Sequence, residues 1–112
     1  MSRLATAVEA AALIRRAEAS GDFATVIRKG DPERGSLLLV ITSRGMHAGC
    51  LERMLTADGS YQWRPAGPAA GAESAQIGDF LRKRARFDED LWLIELDVAQ
   101  AERFIAETTY SA

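Results

Sequence analysis

Leu4, Val8, Ala11, Ile14 and Ala17 or Glu18 recur at intervals of three and four residues, and that spacing predicts a helix. Thr6-Ala7-Val8-Glu9 matches a capping box, in which Thr6 accepts from the Glu9 backbone and Glu9 reaches back. The alanine-rich stretch that follows favours helix, and Ser20-Gly21 supplies a stop.

Strand-like runs come next. Phe23 to Lys29 carries Phe23, Val26 and Ile27, and ends in the turn-forming segment Gly30-Asp31-Pro32-Glu33-Arg34-Gly35. Ser36 to Thr42 is apolar on both faces, which predicts a central strand covered on both sides, with a dimer contact as an alternative cover. Met46 to Thr56 and Ser60 to Pro65 flank Asp58-Gly59, a two-residue hairpin signal. A two-residue loop there pairs Ala57 with Ser60, and sets Thr56 opposite Tyr61 and Met54 opposite Trp63. Period-two alternation then puts Met46, Ala48, Cys50, Glu52 and Met54 on the face of Tyr61 and Trp63, with His47, Leu51 and Leu55 on the other.

Pro65 to Gly71 reads as a loop within the domain. A second helix is predicted from about Ser74 to Arg86, with Ile77, Phe80, Leu81 and Ala85 inward. Asp88-Glu89-Asp90 ends it. Leu91 to Leu96 is an internal strand, and Asp97 with Gln100 resembles a cap for a last helix carrying Val98, Ala101, Phe104 and Ile105. The order α-β-β-β-β-α-β-α predicts one α+β domain over residues 1–112, a mainly antiparallel sheet of about five strands with helices packed on it.

Composition adds limits. The 112 residues are 47% apolar and 27% charged, the profile of a packed globular chain. A net charge of −2 gives no overall attraction to nucleic acid or anionic lipid. The single cysteine, Cys50, excludes an intrachain disulfide. The N-terminus lacks a secretory pattern, and Leu37 to Ile41 is far too short to cross a bilayer, so a cytoplasmic location is expected.

The chemistry-bearing residues do not assemble into a familiar catalytic set. His47 and Cys50 are three apart, which on a regular strand sends them to opposite faces and forbids a Cys–His dyad. No nucleophile elbow, phosphate loop or zinc spacing is present. No metal and no cofactor is expected. Two basic groups remain. Arg82-Lys83-Arg84-Ala85-Arg86 closes the second helix, where cations suit the helix terminus. Arg28-Lys29-Gly30-Asp31 sits at the first hairpin, with Arg15-Arg16 on the first helix; converging arginines there would suit an anion. Glu52, on a predicted inner face, needs a partner, and Arg15 is the expected one. Trp63 and Trp92 read as core.

Arg86-Phe87-Asp88-Glu89-Asp90-Leu91-Trp92-Leu93-Ile94-Glu95-Leu96 resembles the closing motif of a bacterial family catalogued as domain of unknown function 1491. Members pair it with two arginines on an N-terminal helix and with a basic pair and glycine after the first strand. Arg15-Arg16 and Arg28-Lys29-Gly30-Asp31 stand at those places here. The resemblance covers most of the chain but is not residue by residue from Met46 to Ala72. It implies an alphaproteobacterial protein and brings no activity, ligand or catalytic residue.

The first expectation is a non-catalytic binding or protein-interaction module, with a homodimer or another protein as partner. The alternative is an enzyme or binding protein for a small anion, with Glu52 or Asp88 as base. A further alternative is RNA binding by Arg82–Arg86, although nucleic acid and membrane are not the expected partners. The candidate anion or ion-pair site comprises Arg15, Arg16, Arg28, Lys29, Asp31, Glu52, Arg86 and Asp88.

Overall fold

A computed structural model describes residues 5–110, the last by its backbone alone. Leu4, assigned to the first helical stripe, lies outside the described residues. The elements are α1 (Thr6–Ala19), β1 (Phe23–Arg28), β2 (Leu37–Ser43), β3 (Met46–Leu55), β4 (Tyr61–Ala66), α2 (Ser74–Phe87), β5 (Trp92–Asp97) and α3 (Ala101–Tyr110). The order along the chain is the expected one.

The sheet is mixed rather than purely antiparallel. Its order is β1-β5-β2-β3-β4, and β5 runs parallel to β2. β5 returns after the α2 crossover and inserts between β1 and β2. The segment after Arg28 is therefore not a hairpin turn but a loop bridging an inserted strand. Helix, strand and turn signals are local, whereas strand insertion is decided by which apolar strand fills the middle of the sheet.

β2 and β5 occupy that middle, and both are apolar on both faces for that reason. Leu37, Leu39, Ile41, Ile94 and Leu96 pack on the side of α1 and α3. Leu38, Val40, Cys50 and Leu93 pack on the other, beneath Ile77, Phe80 and Leu81 of α2. The doubly apolar strand needs no dimer to cover it.

The β3–β4 register is one residue away from the expected one. Leu55 pairs with Tyr61, Arg53 with Trp63 and Glu52 with Arg64. The loop is longer, because the Thr56 N–H donates to the Ser60 carbonyl and the Gly59 N–H to the Thr56 carbonyl. Gly59 takes φ +86°, the left-handed position that a three-residue hairpin loop needs. The Asp58 carboxylate accepts from the Thr56 hydroxyl and from the Ser60 N–H and hydroxyl, which holds it down at about pKa 2. A slip of one residue exchanges faces. Tyr61 and Trp63 therefore share a face with Leu51, Arg53 and Leu55, and not with Glu52 and Met54.

A second irregularity corrects another expectation. The β2–β3 register shifts between Ile41 and Thr42, so that Ile41 pairs with Gly49 but Thr42 pairs with His47. This bulge places the extra residue, Ala48, between them and returns His47 to the face of Cys50. They share a face yet form no dyad. His47 Nε2 lies 3.0 Å from the Pro68 carbonyl, and Nδ1 has no hydrogen-bond partner among the described residues. Burial pushes the Cys50 thiol up to about pKa 11, against a smaller opposing pull from Arg84.

Candidate functional site

α1 does not start with a capping box. Thr6 is buried, and its hydroxyl donates to the Gly35 carbonyl at 2.8 Å, while its N–H and that of Ala7 reach the Glu33 and Pro32 carbonyls. Glu9 turns to Arg53 of β3, a pair that sequence reasoning missed. The Arg53 side chain is 6% exposed, and its guanidinium lies 4.1 Å from the centre of the Tyr61 ring. These contacts fix α1 over the sheet. α3 lies against β4, β2 and β3 on the same side. Asp97 does not cap it: its carboxylate accepts from the Arg44 N–H at 3.3 Å.

Between the two helices lies a cleft of about 430 Å³. Its apolar lining includes Trp63, Tyr61, Leu96 and Phe104. Arg16, Asp22 and Glu107 are its charged groups. Two of the three are engaged elsewhere. Asp22 accepts from the Ala99 N–H at 3.2 Å, and Glu107 accepts from Arg103 Nε at 2.8 Å. Arg16 forms no ion pair or side-chain hydrogen bond among the described residues. The Trp63 indole N–H likewise has no protein acceptor among them. Trp63, expected in the core, is half-buried and stands in the cleft.

The eight candidate residues are divided among three regions. Arg15 and Arg16 are exposed on α1. Arg28, Asp31 and Asp88 meet at the joint between the β1–β2 loop and the turn before β5. There Arg28 Nη2 donates to the Glu89 carbonyl at 2.9 Å, and the Asp31 N–H to the Asp90 carbonyl at 3.0 Å. Asp31 and Asp88 shape their own turns. The Asp31 carboxylate accepts from the Glu33 and Arg34 N–H groups, and that of Asp88 from the Asp90 N–H. Lys29 and Arg86 are exposed. Glu52 pairs at 2.5 Å with Arg84 of α2, not with Arg15, because α1 lies on the opposite face of the sheet. Arg82 pairs with Asp79 in the same helix. Neither Glu52 nor Asp88 lines any of the three described cavities.

The joint explains why two distant segments resemble one family together. Gly30 passes so close to the Asp90 carbonyl that a Cβ would collide with it. A family model described as "Protein of unknown function (DUF1491)" matches residues 4–106, straight through the segment 46–72. The chain belongs to the DUF1491 family. A crystal structure of a DUF1491 family protein from Caulobacter crescentus CB15 is 32% identical, covers 91% of this chain and 94% of that one, and has a TM-score of 0.77. An NMR structure of a DUF1491 family protein from the same organism is 30% identical over 90% and 93%, with a TM-score of 0.75. Protein Atu0922 from A. tumefaciens, a solution structure, is 27% identical over 88% and 89%, with a TM-score of 0.70. Both organisms fit the alphaproteobacterial origin that the resemblance implies. No match to a curated protein was found.

Proposed function

We propose that this DUF1491 protein is a non-catalytic binding module that takes a small molecule in the cleft between α1 and α3. The observation that carries this reading is Arg16, an arginine without an ion-pair partner among the described residues, at the wall of a concave site that also holds the half-buried indole of Trp63. About 430 Å³ falls within the roughly 300–1,000 Å³ of small-molecule sites. Two carboxylates share the lining with the arginine, but both already accept hydrogen bonds from the protein, which favours binding over acid–base chemistry.

Small molecules of a host extract, retained on the protein by ultrafiltration and identified by mass, test the reading. The comparison is Ser20→Trp, which sets an indole at the lining of the cleft. Retention by the wild type and loss in the variant support it. Equal retention by both contradicts it.

A second reading, an interaction surface for a second copy or another protein, is favoured by two exposed aromatics. Phe23 on the edge strand β1 is 72% exposed and Phe87 at the end of α2 is 79% exposed. Sedimentation of the wild type and of Phe87→Ser separates this reading from a monomeric binder: a mass that falls in the variant supports it, and a wild-type monomer at all concentrations removes the second-copy form of it.

A further inference from the structure

The cleft's own groups narrow the class of ligand, an inference that rests on the binding reading above. Three aromatic rings line it, but they are not equivalent. Tyr61 already carries the Arg53 guanidinium against its ring. Phe104 and Trp63 both pack on the core with part of their surface free, and of these two Trp63 adds a hydrogen-bond donor without a protein acceptor among the described residues.

The charges are also unequal. Glu107 is neutralised by Arg103, one turn earlier on α3. Asp22 faces the Ala99 N–H just before α3, where free backbone N–H groups favour negative charge. Arg16 is the cation left without a counter-charge among the described residues. A dianion would bring one charge more than Arg16 can balance, with Asp22 in the same lining as a like charge, whereas a single carboxylate needs only Arg16 and an indole N–H. A neutral ligand would leave the guanidinium unmatched.

We propose that the cleft between α1 and α3 takes a flat aromatic monocarboxylate, its carboxylate held by Arg16 and its ring laid against Trp63. Recognition by Arg16 is planar and two-pronged, which suits a carboxylate better than a halide or an alcohol. The apolar area of Trp63, Phe104 and Leu96 supplies the rest of the affinity. The cleft volume accommodates one or two fused rings.

Calorimetric titration with 2-naphthoate and with its neutral isostere 2-naphthamide tests the assignment, using wild type, Arg16→Ala and Arg16→Lys. Arg16 is exposed on α1, so neither substitution threatens folding. The expected result is naphthoate binding about tenfold tighter than the amide, the order of one charge-assisted hydrogen-bonded contact at a partly exposed site. Arg16→Ala should abolish that difference by weakening naphthoate far more than the amide, and Arg16→Lys should restore part of it. Equal affinity for acid and amide in the wild type would overturn the proposal and leave the binding reading standing. No binding of either compound would also overturn it, and the retention experiment with Ser20→Trp then decides the reading beneath.

Discussion

The indole Nε1 of Trp92 donates to the backbone carbonyl of Asp31 at 2.8 Å, across 61 positions of sequence. This bond ties the start of β5 to the loop that leaves β1. The Arg28–Glu89 and Asp31–Asp90 bonds flank it. Two sequence segments that look like separate motifs thus form one joint, and that joint holds the inserted strand in place. Trp92→Phe keeps an aromatic ring but removes the indole N–H, orphans the Asp31 carbonyl and gives up the packing of the second ring. It should cost about 2 kcal/mol or more in urea unfolding, the lost hydrogen bond and the lost core packing together. An unchanged midpoint would mean that the bond contributes nothing.

One substitution should have opposite signs at two glycines, one at this joint and one in α2. Gly30→Ala drives a Cβ into the Asp90 carbonyl, with the Asp90 carbonyl carbon only 2.6 Å away. Backbone on both sides must move, at a cost of about 2 kcal/mol or more. Gly78→Ala lies inside α2, where the nearest atoms belong to the flexible, exposed Arg82 side chain. It should stabilise by about 0.5–1 kcal/mol. Thermal unfolding of the two variants reads both signs.

Glu9 and Arg53 should be coupled. Glu9→Ala leaves a guanidinium that is 6% exposed without its carboxylate, and should cost about 2 kcal/mol. Glu9→Ala with Arg53→Met removes both charges and should recover part of that loss. A double-mutant cycle by urea denaturation checks this, and strictly additive costs would contradict the coupling.

Cys50 should be protected in the native state. Its pKa is pushed from 9.0 up to about 11 by burial, so the folded thiol stays protonated where an unfolded one ionises. The stability this contributes is fully present below pH 9 and is lost as pH rises from 9 to 11. Iodoacetamide at pH 8 should label Cys50 slowly in buffer and fast in urea. Rapid labelling of the native protein would show an accessible thiolate instead.

Local signals carried most of the elements. The α2 stripe of Ile77, Phe80 and Leu81, and the doubly apolar β2 and β5, were legible because burial repeats with the period of each element. Long-range choices were not. Nothing around Trp92 says that β5 separates β1 from β2, and Asp58-Gly59 suits a two- or a three-residue loop. That one residue decides whether Trp63 lies with Glu52 or with Arg53. Arg16 stood out as one of a basic pair, but its place beside Trp63 requires α1 and α3 to meet over one face of a sheet whose strand order is itself non-local. Glu9–Arg53 joins residues 44 positions apart and leaves no pattern in either segment.

The indole N–H resonances of Trp63 and Trp92 in a nitrogen–proton correlation spectrum report on occupancy of the cleft. Trp63 stands in the cleft with no acceptor for its N–H among the described residues, whereas Trp92 is buried and bonded to Asp31. Titrating a set of small aromatic acids, amides and alcohols should give saturable shifts at Trp63 with Trp92 unmoved. A Trp63 resonance that stays fixed throughout the set, while shifts appear around Phe23 and Phe87, would contradict binding in the cleft.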